Sequence, residues 1–430
     1  MTTATAEIPA STTATTHRRG TFAALRVHNY RIYVAGHGVA STGTWMQSIA
    51  LDWLVLELTG SSAAVGVTMA MQFLPMLLFG VHGGMLADRF PKRTILIITQ
   101  SLNGTLSGSL AVLTLTGHVR VEYVYAFALA QGLVMVVDNP TRQVFVNELV
   151  PAPYVRNAIA LNSAVFQTSR LIGPAVSGVL IGTVGTGWAF AANSASYVAP
   201  VIGLALIRSA ELTRAPAALR TPRQLRMALS YVRARPHIVW TIFLVGVIGT
   251  FGLNFPVVLT AMADQTFRGG ADLYGLFNAV LAVGSVAGAL IAGGRTDTRL
   301  RTLVLGAVGF GLAQTAAALA PGVPTFLAAL VALGMVNLIF QAMANSSVQS
   351  WVDPQVRGRV MGLYMLVFVG GTPLGGPMIG WITTAYGPRV AMAFCGIVPA
   401  LAAVAVGLVL WLKARGRLTQ RGPVAQATAG

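Results

Sequence analysis

Charge is what this chain most lacks. Lys, Arg, Asp and Glu make up 10% of its 430 residues and hydrophobic residues 55%, where an ordinary soluble domain is about 25% charged. That balance excludes a soluble globular protein and predicts one embedded in lipid. Acid is scarcer still, with 12 Asp and Glu against 29 Lys and Arg for a net charge of +17. The excess does not indicate nucleic acid, because the basic residues lie between apolar runs and not on an amphiphilic surface. The single cysteine, Cys395, sits in an apolar run, which excludes a disulfide framework and a thiolate metal site. The six histidines show no metal-ligand spacing, no phosphate loop follows a strand, and no nucleophile–base pair is apparent, so neither an enzyme nor a cofactor is expected. The Thr/Ala-rich start, residues 1 to about 16, lacks the basic-then-apolar order of a secretory signal and reads as a disordered tail.

What the chain does have is long apolar runs. A bilayer core takes about 20 apolar residues per helix. About twelve such stretches occur, near 32–56, 63–86, 94–116, 121–142, 158–183, 187–207, 237–262, 273–294, 302–320, 324–349, 359–383 and 388–412. Pro and Gly inside them are tolerable where neighbouring helices satisfy the freed backbone groups. Placing both termini in the cytoplasm puts 25 of the 29 basic residues on that side; Arg120, Arg268 and Arg389 fall opposite, and Arg170 stays within a span. This asymmetry predicts a multi-pass protein of the cell's inner membrane with both ends inside.

The longest connection, Arg208 to Arg235, carries seven Arg and follows the sixth span. It divides the chain into a tail (1–24), a six-helix bundle (25–207), a linker (208–236), a second six-helix bundle (237–412) and a closing tail (413–430). From Pro222 to Arg235, Leu225, Leu229 and Val232 alternate with Arg223, Arg226 and Arg233, which suits an amphipathic helix along the inner membrane face, as an anchor or as a regulatory segment. The halves also repeat: Pro151, Arg156, Gly173 and Pro174 recur as Pro354, Arg359, Gly376 and Pro377, all displaced by 203 residues. Two homologous halves imply a central cavity between them and alternating access by rocking of one on the other.

Between spans 2 and 3 runs Gly83-Gly84-Met85-Leu86-Ala87-Asp88-Arg89-Phe90-Pro91-Lys92-Arg93. It has the form of a transporter gate loop: glycines for close helix approach, an aspartate for a neighbouring helix N-terminus or arginine, and basic residues that hold the loop inside. Together with DNPTRQVFVNELVP (Asp138 to Pro151), NAIALNSAVFQTSRLIGPAVSGVL (Asn157 to Leu180) and RGRVMGLY (Arg357 to Tyr364), this resembles the major facilitator superfamily. Within it, the chain is similar to the drug:proton antiporter branch that includes macrolide-efflux proteins and the enterobactin exporter, over about residues 25 to 412. The resemblance implies an all-α membrane protein of twelve helices in two six-helix repeats, working as a proton-driven exporter with inward-facing and outward-facing states. It places Gly84, Asp88, Arg89 and Arg93 in the signature gate loop, and Gly173, Pro174 and Gly178 in the antiporter motif of span 5. One departure is visible: many drug antiporters have an arginine in span 4 a few residues before a glycine, whereas Ala128 and Leu129 precede Gly132 here. Asp138 and Arg142, spaced i and i+4, offer a local charge pair near the inner end of span 4 instead, and Arg142 is counted with the cytoplasmic gate. In the closed gate Asp88 is expected to meet the basic start of span 11, near Arg357 and Arg359, or its N-terminal dipole.

Charged groups inside a membrane normally face a cavity or a partner. In span 1, His37, Ser41, Thr44, Ser48 and Asp52 fall on one helical face. Asp52 is the first candidate proton carrier, since a carboxyl partly withdrawn from water can load and unload protons near neutrality; the alternative is a lightly solvated hydrogen-bond acceptor. Asp138 is the fallback, and Arg170 is a further proton-coupling candidate. Span 5 places Ser163, Gln167, Arg170, Pro174 and Ser177 on one face, and so deep a guanidinium requires a partner: Asp52, an anionic substrate, or helix carbonyls. Asn337, Gln341 and Asn345 of span 10 either orient a ligand or join helices. Tyr197, Phe251, Asn254, Met335 and Tyr364 could line a promiscuous pocket.

These features predict a secondary transporter, a proton-coupled exporter of a small amphiphilic drug or secondary metabolite, acting as a monomer in the bilayer. An importer or lipid mover of the same fold is one rival, and a non-transporting receptor another.

Overall fold

The computed structural model describes residues 22–212, 224–293, 299–353 and 355–419. The side chain of Asp88, Pro354 of the repeat and Arg214 to Arg223 of the linker lie outside the described residues, as do both tails beyond these limits.

Among the described residues twelve helical spans run through the molecule: span 1 His28–Thr59, 2 Ser62–Arg89, 3 Lys92–Leu115, 4 Val121–Leu149, 5 Val155–Val184 and 6 Thr186–Leu206, then 7 Pro236–Thr266, 8 Ala271–Gly293, 9 Leu300–Ala318, 10 Val323–Trp351, 11 Arg357–Tyr386 and 12 Pro388–Thr419. A short linker helix, Gln224–Arg233, precedes span 7. Eleven spans are apolar enough along their length to cross a membrane unaided; span 1 is the exception. It buries Asn29, His37, Ser41, Gln47 and Asp52 and packs on spans 2, 4, 5, 6, 7 and 8. A helix enclosed by other helices can give its surface to polar side chains, because little of it meets lipid.

The two sets of six spans pack alike. Span 2 lies on span 4 and span 8 on span 10; span 3 lies on span 6 and span 9 on span 12; span 1 lies on span 5. Small residues permit these approaches: a methyl at Gly83 would strike the Val136 backbone, and one at Gly288 the Met335 backbone. Span 7 is broken at Leu253 and Asn254, between two π-helical turns, with Pro256 in the first turn of the helix that resumes. Asn254 Nδ2 donates to the carbonyls of Thr250 (2.8 Å) and Phe251 (3.1 Å), satisfying oxygens that the break sets free.

An even number of spans puts both ends of the bundle on one face, here the terminal face. At the opposite, far face the two sets of spans close on each other. Span 2 meets span 11, where a methyl at Gly380 would lie 2.7 Å from Ala63 Cα; span 5 meets span 8, where one at Gly275 would lie 2.6 Å from the Pro174 oxygen. Toward the terminal face they separate. The first part of span 7 packs on the linker helix and on spans 9, 10, 11 and 12, whereas its second part touches spans 1 and 2. Thr44 and Ser163, well inside the bundle, are exposed as a result.

Candidate functional site

Asp52, Asp138, Arg142 and Arg170 lie away from the ends of the first six spans, and the structure sorts these four charged side chains into three places. Toward the terminal face, Asp138 and Arg142 of span 4 pair as their spacing predicts, Arg142 Nε donating to Asp138 Oδ2 at 3.2 Å. The other carboxylate oxygen accepts from Thr99 Oγ1 (2.6 Å) and Gln100 Nε2 (2.8 Å) of span 3. Arg142 Nη1 reaches His37 Nδ1 of span 1 at 2.6 Å, and the His37 ring stacks on Tyr33. A buried carboxylate with two side-chain donors and a guanidinium is fully satisfied, so this cluster binds spans 1, 3 and 4 together. Arg142 points into it, and not toward span 11.

At the far face, Asp52 is buried and its Oδ2 accepts from the Tyr274 hydroxyl of span 8 at 2.7 Å. The bond crosses from the first set of spans to the second. Trp53 stacks on the same tyrosine ring and donates through Nε1 to Glu57 at 2.7 Å. Tyr274 has no counterpart among the residues singled out from sequence, although Tyr274 and Asn278, an i, i+4 polar pair opening an apolar span, were a readable signal.

Arg170 stands between these groups and meets neither. Span 5 is fixed against span 1 by Thr42 Oγ1 donating to Ser169 Oγ (3.1 Å) and Ser177 Oγ donating to the Met46 oxygen (2.8 Å), so Arg170 lies level with Thr42 to Trp45. Asp52 is ten residues farther along span 1 than Thr42, about 15 Å at 1.5 Å per residue. An Arg170–Asp52 ion pair is therefore out of reach, and none is formed. The guanidinium instead sits 5.6 Å from the Trp45 ring, itself in edge contact with Phe166. Thr44, Ser48, Gln167 and Arg170 are at least partly exposed and form the polar wall of the cavity open to the terminal face; Ser41 beside them is buried. Thr44 also bonds the Tyr197 hydroxyl at 3.1 Å.

The remaining candidates mostly bond within or beside their own helices. Asn254 closes the break in span 7. Asn337 is buried and accepts from Gln341 Nε2 at 2.8 Å, and Asn345 accepts from Gln349 Nε2 at 2.6 Å, both within span 10. Tyr364 is buried with its ring stacked on Phe368. Gly173 sits against Trp45 and Thr42 in its own set of spans, while Pro174 and Gly178 face span 8 across the seam. In the gate loop, Gly84 is buried and Arg89 lies over the Phe90 ring. Arg93 donates to the Leu204 (2.6 Å) and Ala205 (2.7 Å) carbonyls, closing the C-terminal end of span 6. Arg357 reaches the Val352 oxygen at 3.4 Å, and Arg359 approaches Met227 of the linker helix. Two buried contacts carried no sequence signal: Lys92 pairs with Glu148 at 3.3 Å, and Asn193 donates to Gln47 at 2.6 Å.

Known proteins agree with this architecture. Residues 19–421 match the family model described as transmembrane secretion effector. The staphyloferrin A transporter of Staphylococcus aureus is 24% identical over 58% of this chain and 63% of its own length, so the chain spans under two thirds of that relative. The multidrug efflux pump Tap of Mycolicibacterium fortuitum is 24% identical over 81% of this chain and 87% of its own. The enterobactin exporter EntS of Salmonella choleraesuis is 22% identical over 88% and 91%. Among solved structures, a bacterial homolog of the human lysosomal transporter Spinster, inward-facing and unoccupied, superposes with a TM-score of 0.73 at 14% identity, covering 88% of this chain and 95% of that one. A D-xylose-proton symporter gives 0.65 at 16%, covering 86% and 97%. With a family match over nearly its whole length and twelve spans packed as two alike sets, the chain belongs to the transmembrane secretion effector family of the major facilitator superfamily, and it is a membrane transporter and not an enzyme.

Proposed function

We propose that the protein is a proton-coupled antiporter that exports a small amphiphilic compound across the inner membrane, its terminal face in the cytoplasm, its two bundles (25–207 and 237–412) rocking about the cavity as a monomer. The observation that carries this reading is Asp52: a buried carboxyl placed where the bundles close on each other and bonded across the seam to Tyr274. An acid at that position exchanges protons with one side of the membrane when the seam is shut and with the other when it opens, which is the requirement for coupling. Asp138 suits the task less well, because Arg142, Thr99 and Gln100 satisfy it as a carboxylate inside one bundle. Efflux by Tap and EntS supports the outward direction, and the excess of Lys and Arg on the terminal face supports the orientation. Asp88, with Arg89, Arg357 and Arg359, serves as the cytoplasmic gate in the opposite state.

Proteoliposomes with an imposed pH gradient test the reading. Asp52→Asn should abolish uphill, pH-driven export of a dye yet allow downhill exchange of a neutral substrate. Accumulation against a gradient by Asp52→Asn would falsify the assignment. Asp138→Asn in the same assay then decides whether coupling moves to span 4. For orientation, a cysteine introduced at Gly322 should react with an impermeant thiol reagent applied outside intact cells, and one at Thr94 should not.

A further inference from the structure

Arg170 has neither an ion pair nor a hydrogen bond among the described residues, and the two acids nearest in kind are engaged elsewhere. Asp138 is held by Arg142, and Asp52 bonds Tyr274 about 15 Å farther along the bundle. The guanidinium begins fifteen residues beyond the Val155 start of span 5, about 22 Å along the helix and so past the middle of a hydrocarbon core about 30 Å thick. Its direction is settled by the contacts of that helix. Ser169, Gly173 and Ser177 pack on span 1, Pro174 and Gly178 pack on span 8, and Ile172 and Val179 on the reverse side are exposed. Arg170 therefore projects between spans 1 and 8 into the cavity.

In the state described here the spans separate toward the terminal face, and the guanidinium keeps partial exposure and with it part of its hydration. When the cavity closes around its contents this hydration is lost. An uncompensated buried charge is unfavourable, so an anion in the cavity lowers the cost of closure relative to an empty or neutral one. The neighbourhood fits the rest of such a ligand. Trp45 lies under the guanidinium and Phe166 against Trp45, giving an apolar wall beside the charge, with the Ser48 hydroxyl as a further donor.

Resting on the exporter reading above, we propose that Arg170 is the recognition site for the anionic head of the cargo, which is an organic anion with a flat apolar body, and that Trp45 and Phe166 hold that body. The head is a carboxylate, sulfonate or similar oxyanion, for which the guanidinium offers two parallel donors.

The test uses two probes with one aromatic body and opposite charge, naphthalene-2-sulfonate and (2-naphthylmethyl)trimethylammonium. Binding to purified protein in neutral detergent is measured by calorimetry. Flux is measured in phosphatidylcholine liposomes, where no anionic lipid supplies the charge. The wild type should bind the sulfonate. Arg170→Gln should weaken that binding about 10- to 100-fold, the range for losing a hydrogen bond to a charged group, and leave the cation unaffected, while Arg170→Lys should recover most of the loss with an unchanged melting temperature. Preference of the wild type for the ammonium probe overturns the inference, as does equal loss of both probes in Arg170→Gln. Should cationic dyes be exported with the sulfonate ignored, the inference fails and the exporter reading stands; sulfonate binding without export of any probe has the converse meaning. Added anionic lipid that competes with the sulfonate would assign the site to a lipid head and overturn a soluble cargo.

Discussion

The first six spans and the last six pack alike but differ in chemistry. Asp52, Asp138, Arg142 and Arg170 all lie inside the first set. In the second set the charged residues fall near the span ends, and the polar groups farther in, such as Asn254, Asn337 and Gln341, bond within their own helices. Its core is apolar and aromatic instead, with Phe267, Phe277 and Phe326 in mutual contact. One fold thus holds a bundle with charge buried inside it beside one whose interior is apolar and aromatic, and the Tyr274 hydroxyl is where the second contacts the acid of the first. The two sets are alike as scaffolds, and among the described residues charge far from a span end, which is costly in a membrane, is confined to one of them.

The strongest way to break this contrast is to unbalance the buried cluster. Arg142→Leu should strip Asp138 of its counter-charge and lower stability by about 3–5 kcal/mol, seen as loss of folded protein or a sharply lower melting temperature in detergent. The double variant Asp138→Asn with Arg142→Gln should be milder than the single one. If the double variant is worse, the cluster is not held by charge pairing.

Closure at the far face comes next. Gly66 and Gly376 meet backbone to backbone, so Gly66→Val overpacks the seam at a cost of about 1–3 kcal/mol. That moves a two-state equilibrium about tenfold toward opening there, at 1.4 kcal/mol per decade. A cysteine at the buried Ser62 should gain reactivity with an impermeant thiol reagent, while one at Thr44 should lose it. Parallel changes at both positions would mean general loosening.

Tyr274→Phe removes the hydroxyl that bonds Asp52 across the seam, about 1.5–3 kcal/mol when that carboxyl is charged. It should raise Ser62→Cys labelling less than Gly66→Val does and uncouple export from the pH gradient in part. Normal coupling in this variant would make Asp52 independent of the second bundle.

The smallest effect sharpens the other side of the comparison. Asn254→Ala should cost about 1 kcal/mol of stability, the net worth of an ordinary hydrogen bond, with the order of preference among transported dyes unchanged. A changed order would place a cargo contact in the second bundle.

The twelve spans, their division into six and six and the family were legible in the sequence because each rests on a local property. A hydrocarbon core demands about 20 apolar residues at a time, and a repeat or a gate loop is read along the chain. The Asp138–Arg142 pair was legible for the same reason, being four residues apart on one helix. Helical periodicity also found the polar face of span 1, though not that its enclosure by neighbours is what permits it to be the least apolar span. What the chain alone did not decide is which polar residues face a cavity and which serve the backbone. Asn254 reads as a pocket residue until Pro256 and the break in span 7 give it carbonyls to satisfy, and Arg93 reads as a gate until the end of span 6 is brought beside it. Asp52 and Tyr274 are 222 residues apart, and Arg170 misses Asp52 because spans 1 and 5 lock in a register set by Thr42, Ser169, Met46 and Ser177. Burial in lipid is imposed residue by residue and leaves its mark on the sequence; helix register and the partner of a buried charge are properties of helices meeting, and the tertiary structure alone determined them.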